Sequence, residues 1–175
     1  MIKIKEFELK TKMTEFTMKE FEDICAITTE DLIDKYFGVF EVLKMPKDLM
    51  YEITTDDLID IVKEFTKDEI TNKDLIPTIE MNGRVYRSHT DEFKVKAKDF
   101  GMIQTYVKKN PTKYLLYIIA ILFKDEELTN NEHYTSAHIE HKMHLFEELN
   151  ADLYYQYIIF IQHNVIQKIE GMNSK

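Results

Sequence analysis

The sequence predicts an α+β fold that is mainly α-helical, with a short N-terminal strand pair and a central β-hairpin. Three observations lead to this prediction. Apolar residues recur at helical spacing over most of the 175 residues, alternate with polar ones near the start, and flank one Asn-Gly pair in the middle. With 44% hydrophobic residues and only four Gly and three Pro, the composition is typical of an ordered globular protein. Disorder is therefore excluded as the main state.

The first elements are short. Residues 2–9 carry apolar side chains at period two on either side of a break, which predicts two short strands or one bent strand. Thr17 and Glu20 have the spacing of a capping box, in which the Thr hydroxyl and the Glu carboxylate each accept from the other's backbone N–H. We expect the helix that follows to bury Met18, Phe21 and Ile24.

Two later segments, Ile27–Asp34 and Ile53–Asp60, open with nearly the same pattern. Each has an apolar residue, a Thr-Thr pair and an acidic first turn, which predicts capped helices because Thr satisfies free N–H groups and carboxylates suit the positive end of the macrodipole. A Ca²⁺ loop is the alternative, but it needs alternating oxygen ligands around a central Gly, which neither segment has. Pro46 divides the first helix and starts another short one.

The middle of the chain changes from helical to strand patterning. Thr78–Arg87 predicts a two-stranded hairpin, because Asn82-Gly83 supplies the positive φ angles of a type I′ turn. Residues 93–97 alternate and predict a third strand. The alternating lysines there, Lys94 and Lys96, and then Lys98, favour a solvated or edge-guarding face, with phosphate binding as the alternative.

The last half is predicted to be helical. The run Tyr114–Phe123 is apolar on nearly every face, so we expect its helix to lie at the centre of the domain. Asn110-Pro111 has the pattern of an N-cap followed by Pro at the first helical position. The other predicted elements are a helix over 99–108, a polar loop over 124–131, and helices over 136–149 and 151–169.

Residues 1–175 are predicted to form a single domain, the alternative being a helical part over 1–70 and a hairpin plus helical part over 75–170. The net charge of −9 disfavours nucleic acid and anionic membrane as partners. The longest apolar run has about half the residues of a membrane-spanning helix, and the N-terminus lacks the apolar stretch of a signal peptide. We expect a protein of the cytoplasm.

Metal binding is the one chemical alternative that a cluster of residues suggests. His138, His141 and His144 recur every three residues, so neighbouring pairs could share an ion. Over six residues a helix drifts by about 60°, so all three cannot point at one ion without another segment. A polar helix face that gains charge on acidification is the favoured interpretation. No cofactor is expected.

Catalytic patterns are missing from the sequence. Cys25 lies in an apolar stretch and is expected to be an inert core thiol. Serine is scarce, and neither a G-x-S-x-G elbow nor a glycine-rich phosphate loop occurs. We therefore do not expect an enzyme.

Ten Tyr and eleven Phe indicate protein binding instead. Most of these rings must fill the core, but Tyr154, Tyr155 and Tyr157 cover more than one face of the last predicted helix. Tyr is favoured on surfaces that a partner covers. Tyr154 and Tyr155 are therefore the predicted protein-binding residues.

The order of these segments resembles the tail assembly chaperones and related small virion-morphogenesis proteins of tailed bacteriophages. The resemblance is one of pattern and covers most of the chain. The segments that carry it are Met13–Phe21, Val42–Leu49, Ile53–Phe65, Ile79–Tyr86, Phe100–Tyr106 and Leu145–Leu149.

The resemblance implies a non-enzymatic protein that binds the long, apolar, helical tape-measure protein in the host cytoplasm until the tail polymerises. Exposed Tyr, Phe and Met suit that task, while the net charge maintains solubility. The alternative is a structural component of the virion, such as a neck, ring or cargo protein buried in an oligomer. A lesser alternative is a metal-dependent enzyme that uses the histidine-rich helix. Homo-oligomers fit the first two functions.

Overall fold

The computed structural model describes residues 2–66, 77–88, 95–152, 157 and 159, and its fold is α+β and mainly α, as predicted. Among these residues, none of the helices combines the length and apolar character that crossing a bilayer requires. The strands are β1 (Ile2–Ile4), β2 (Phe7–Leu9), β3 (Thr78–Met81), β4 (Arg84–Ser88) and β5 (Phe123–Asp125). The helices are α1 (Met18–Cys25), α2 (Leu32–Val42), α3 (Lys47–Glu52), α4 (Thr55–Thr66), α5 (Ala97–Lys109), α6 (Leu115–Leu122), α7 (Asn130–His133) and α8 (Ser136–Phe146).

Two of the three predicted threonine caps form, at the start of α1 and at the start of α4. In α1, Thr17 Oγ1 accepts from the Glu20 N–H at 3.1 Å, and Glu20 Oε2 accepts from the Thr17 N–H at 2.9 Å. Asp31 rather than a Thr caps α2, because its carboxylate accepts from two N–H groups of the first turn. In α4, Thr54 Oγ1 accepts from the Asp57 N–H at 3.2 Å, so the two similar segments begin their helices with different capping residues.

The central hairpin is confirmed. Strands β3 and β4 pair antiparallel with Thr78 opposite Arg87, and the turn residues Asn82 and Gly83 have φ angles of 51° and 74°. These are the left-handed values that a type I′ turn requires. The hairpin is part of a three-stranded sheet with the order β3-β4-β5.

The prediction of a third strand at 93–97 is wrong for the residues that can be judged. Residues 93 and 94 lie outside the described part, Val95 and Lys96 form no strand, and Ala97 begins α5. The third strand is β5, which pairs with β4 so that Phe123 lies opposite Ser88. Alternation in a sequence indicates an extended segment but does not identify the strand that it pairs with. Here the strand that pairs with β4 is the segment directly after the central helix.

The central helix begins later than predicted. Asn110 ends α5, where its backbone N–H donates to the Tyr106 carbonyl, and Pro111 lies in a turn before α6 starts at Leu115. The end of the helix falls at Leu122, since Phe123 has the extended conformation of a strand residue. The predicted loop over 124–131 contains part of β5 and the start of α7.

Helix α6 lies at the centre of the fold, as predicted. Every residue from Leu115 to Leu122 is buried except Tyr117. Helices α1, α5 and α8 all contact α6, and α2 packs on α1 and α3. Helices α2 and α5 therefore pack on different neighbours.

The amino end of α6 is capped by a side chain from another helix. Glu22 of α1 is buried, and its Oε1 accepts from the Leu116 N–H at 3.1 Å. Burial raises the pKa of Glu22, while hydrogen bonds from the Leu116 and Leu115 N–H groups act in the opposite direction. The prediction for α1 is corrected here: Met18 is buried, but Phe21 is only half-buried and Glu22 takes an interior position.

The segment before α1 is joined to the segment after α8. The Met18 N–H donates to the Leu149 carbonyl at 2.7 Å, and the Ala151 N–H donates to the Phe16 carbonyl at 2.9 Å. Asn150 Nδ2 also donates to the Thr14 carbonyl at 2.7 Å. These bonds hold α1, and with it Glu22, at a fixed position relative to α8.

The turn can be tested with two Gly→Ala variants. Gly83→Ala should destabilise the fold by about 1 kcal/mol, because a residue with a Cβ is strained at the positive φ of this position. Gly101→Ala, in α5, is the matched control. A Cβ at Gly101 meets nothing within 4 Å, so this variant should gain about 0.5–1 kcal/mol from helix propensity. Equal urea midpoints for the two variants would contradict the assignment of a type I′ turn at Asn82-Gly83.

The cap on α6 can be tested at Glu22. Glu22→Ala leaves buried N–H groups without an acceptor and should cost about 1–3 kcal/mol. Glu22→Gln keeps an oxygen acceptor and should cost less. Glu140→Ala, on the exposed face of α8, should be close to neutral. If Gln is as damaging as Ala in urea titrations, the acceptor is not what stabilises α6.

Candidate functional site

The three histidines of α8 do not converge. His138 is half-buried, while His141 and His144 are exposed, and His144 Nδ1 lies 3.2 Å from Glu147 Oε1. Within the described ranges, no group of three His, Cys, Asp or Glu side chains is placed to share a metal ion. The structure thus separates the residues that the sequence offered for a metal site.

The predicted binding residues Tyr154 and Tyr155 lie outside the described residues. Their neighbour Tyr157 is helical and buried, with its ring centroid 5.0 Å from that of Phe123. The expectation of a core thiol is wrong, because Cys25 is exposed. It is the last residue of α1, where Ile24 and Ile27 on either side of it pack against the core instead.

A group of buried ionisable side chains surrounds the carboxyl end of α6. We call Asp99, Asp125, His133 and Lys142 the α6-end cluster. All four are buried, and they come from α5, β5, α7 and α8 respectively. Such groups are rarely buried unless each has a partner.

Lys142 is at the centre of this cluster. Its Nζ donates to the Phe123 carbonyl at 2.9 Å and to the Ala120 carbonyl, and it lies 3.0 Å from His133 Nδ1. His133 Nε2 lies 3.2 Å from the Ile121 carbonyl. The last carbonyls of α6 therefore receive their hydrogen bonds from α7 and α8, and the positive charge suits the negative end of the helix dipole.

Counting donors assigns the protons in this cluster. Because His133 Nε2 faces a carbonyl, it carries the ring hydrogen, and Nδ1 is then an acceptor. Lys142 thus faces three acceptors and satisfies all of them only as an ammonium with three N–H groups. A second proton on His133 would set a ring N–H against an N–H of Lys142, so the geometry fits a neutral ring with its hydrogen on Nε2.

Burial opposes the charge that these hydrogen bonds favour. It lowers the pKa of Lys142 to about 7, against the attraction of Asp125 and Asp99. Burial and then the Lys142 charge also lower the pKa of His138, whose ring centroid lies 6.2 Å from that of His133. His138 Nε2 is buried without a hydrogen-bond partner among the described residues. The cluster is therefore sensitive to pH.

The two carboxylates of the cluster have partners nearer the surface. Arg84 Nη1 donates to Asp125 Oδ2 at 2.7 Å. Burial would raise the pKa of Asp125, but the Glu127 N–H and the Arg84 guanidinium hold it below its usual value. The Tyr134 hydroxyl donates to Asp99, and the exposed Lys98 ammonium lies 3.7 Å from the Tyr134 ring centroid.

The hydrogen bonds of Lys142 in the α6-end cluster stabilise the fold. All three contacts of the Lys142 ammonium are with protein groups, and no part of the side chain reaches solvent. A substrate would have to open the α6–α8 contact to reach it. Sequence reasoning missed this lysine because a Lys between His141 and Met143 is expected on the surface, and no local signal identifies it as a cap.

A second candidate lies on the surface of the N-terminal helices. Tyr51 of α3 is 83% exposed, and beside it runs a groove of about 250 Å³ lined by Phe37, Glu41, Lys47, Met50 and Tyr51. We call it the α2–α3 groove. Tyr is enriched in protein interfaces, where its ring packs on apolar groups while its hydroxyl stays hydrated, so an exposed Tyr beside an apolar groove makes this surface a candidate binding site.

The start of α2 is also unusually apolar for a surface. Leu32 is 64% exposed and Ile33 is 54% exposed. The sequence carried a signal for this, because α2 has more apolar positions than one buried face can hold. The core takes Val39 and Phe40, and the first turn of the helix remains in water.

Comparison with known proteins adds no relative. Scans against protein-family models, curated proteins and solved structures gave no match. The function is therefore argued from these residues and from the pattern resemblance described above.

The pH sensitivity of the cluster can be tested with Lys142→Met. Between about pH 7 and 10 the unfolded wild-type chain holds a lysine proton that the folded chain has lost, so stability should rise with pH in this window. Lys142→Met should flatten that rise. The measurement is the urea midpoint from pH 7 to 9, above the range in which His138 titrates. An unchanged slope in the variant would mean that Lys142 titrates normally.

Proposed function

We propose that this protein is a non-enzymatic assembly protein of a tailed bacteriophage that binds an apolar helical segment of another tail protein. The observation that carries the proposal is the α2–α3 groove, with Tyr51 standing almost fully exposed at its side. The pattern resemblance makes the tape-measure protein the partner to test first, and the host cytoplasm the place of binding.

The shape and chemistry of the groove suit a helix. Phe37 and Met50 offer apolar surface from two neighbouring helices, and Tyr51 can fold over a ligand with its ring while its hydroxyl stays in water. Met adapts to different apolar partners. A helix that presents apolar residues at every third or fourth position fits such a site.

The expected affinity is moderate. Full burial of a large apolar side chain contributes about 1.5–3 kcal/mol, and association itself consumes several kcal/mol of that gain. A groove with two or three such side chains supports reversible binding. Reversibility suits a chaperone, which must release its client when the tail assembles.

The charge of the chain also supports the proposal. A protein that exposes apolar side chains would tend to aggregate, and a net charge of −9 opposes this at the concentrations of an assembly factor. The enclosed α6-end cluster supports a non-enzymatic role, since its hydrogen-bonding groups are used to cap α6.

The proposal is tested by co-purification with the tape-measure protein of the same phage. Tyr51→Ser should reduce capture at least about fivefold, because an exposed anchor of this size contributes on the order of 1 kcal/mol or more. Ile59→Ser, a 47%-exposed residue of α4, is the matched control and should bind like the parent. Both variants should keep the parent's thermal stability, since surface changes rarely cost more than about 0.5 kcal/mol.

Two further measurements separate the alternatives. Tyr154→Ser with Tyr155→Ser tests the surface predicted from the sequence, and loss of capture there but not in Tyr51→Ser would move the site to the last helix. Mass spectrometry of purified particles distinguishes a chaperone, which should be absent, from a structural virion component, which should be present in fixed copy number.

A further inference from the structure

The first turn of α2 and the loop before it lie wholly on the surface of the molecule. All residues from 28 to 35 are exposed, and we call this segment the α2 tip. It carries two large apolar side chains, Leu32 and Ile33, that make a knob. Three carboxylates surround the knob, those of Glu30, Asp31 and Asp34, against one lysine.

A groove with the opposite character runs along α5. Ala97, Gly101 and Thr105 follow one another at four-residue spacing, so small side chains line one stripe of the helix. The groove encloses about 490 Å³. Because a Cβ built on Gly101 meets nothing within 4 Å, the groove at this position has room for a side chain of another molecule.

The walls of the α5 groove are apolar and its ends are basic. Tyr106 of α5 and Tyr117 of α6 stack with ring centroids 3.7 Å apart and an interplanar angle of 6°, which makes a flat aromatic wall. Lys98 and Lys109 line the groove near the two ends of α5. A ligand that fits here has a compact apolar part and negative charges beside it.

The α2 tip has these properties. We infer that the α2 tip of one copy of this protein inserts into the α5 groove of a second copy, with Leu32 and Ile33 against the stripe at Gly101 and the tip carboxylates beside Lys98 and Lys109. Apolar character and charge are both complementary, since two exposed apolar side chains flanked by carboxylates meet an apolar groove with a lysine near each end.

The tip and the groove of one molecule belong to helices that pack on different neighbours. Helix α2 packs on α1 and α3, whereas α5 packs on α6. The contact is therefore head to tail: each copy offers one tip and one groove. Depending on the rotation between copies, such a contact closes into a ring or continues as a filament.

This inference goes beyond the proposed function and does not require the phage partner. The tip lies next to the α2–α3 groove, because its residue Ile33 is one helical turn before Phe37, which lines that groove. Head-to-tail association would therefore leave the groove at Tyr51 near the contact. Tyr51→Ser tests client binding, and the variants below test self-association.

The test is sedimentation equilibrium of the chain alone up to about 0.1 mM, because an interface of this size is weak and transient. At about 0.15 M salt the Debye length of about 8 Å screens the repulsion between two acidic molecules. The average mass of the parent should rise above 20.9 kDa with concentration. Gly101→Leu fills the groove and should weaken association at least about tenfold, while its helix propensity keeps the chain folded.

Charge reversal tests which surfaces meet. Glu30→Lys with Asp34→Lys reverses the tip, and Lys98→Glu with Lys109→Glu reverses the groove. Each double variant alone should remain monomeric, and an equimolar mixture should form a complex, because a basic tip then meets an acidic groove. Circular dichroism checks that all variants fold.

A matched control reverses charge at carboxylates that line neither the tip nor the groove. Glu8→Lys with Glu148→Lys changes two exposed carboxylates, one in β2 and one after α8, and should associate like the parent. A parent that stays monomeric at about 0.1 mM would overturn the inference, as would association that Gly101→Leu leaves intact. Failure of the mixed variants to form a complex would also overturn it.

Discussion

The ends of a helix need partners for their free N–H and C=O groups, and α6 has no side chain of its own that supplies them. Its residues are apolar from Leu115 to Leu122, and its N-cap residue Tyr114 makes no side-chain cap. Glu22 binds the N–H groups at one end, while Lys142, with His133, binds the carbonyls at the other. Both charges have the sign that the helix dipole favours. A helix this apolar can be buried because two neighbouring helices each contribute an ionisable side chain that hydrogen-bonds to one of its ends.

This constraint determines where the surrounding helices lie. Helix α1 must present Glu22 to the start of α6, and α8 must present Lys142 to its end, so both run beside it. The backbone bonds between residues 16–19 and 147–151 fix these two helices relative to each other. Helices α2 and α3 lie outside this arrangement. Their apolar residues that do not reach the core, above all Leu32, Ile33 and Tyr51, remain on the surface.

The local elements could be predicted from the sequence because their causes are local. Thr17 with Glu20, and Asn82 with Gly83, determine a cap and a turn within four residues. The third strand could not be predicted in the same way, since Phe123–Asp125 becomes a strand only by pairing with β4 after the chain has left α6. The buried Glu22 and Lys142 were missed for a related reason. A charged residue in a helix is expected in water, and only the tertiary structure shows that α6 requires one at each end.

The need of the α6 ends for hydrogen-bond partners also affects how the buried Lys142 is interpreted. A buried lysine with a lowered pKa beside a histidine is often a mark of catalysis, but it also arises wherever a charge is placed in the interior to satisfy backbone groups. Here the hydrogen bonds account for the second origin, since each donor of Lys142 faces an acceptor of the protein and the Nε2 donor of His133 faces a carbonyl of α6. The described groups that are free to contact another molecule are of a different kind: the apolar side chains of α2 and α3, and the small-residue stripe of α5 with its aromatic wall. Such surfaces recognise proteins through shape and apolar burial, which is why we place the function of this chain in its contacts with other chains.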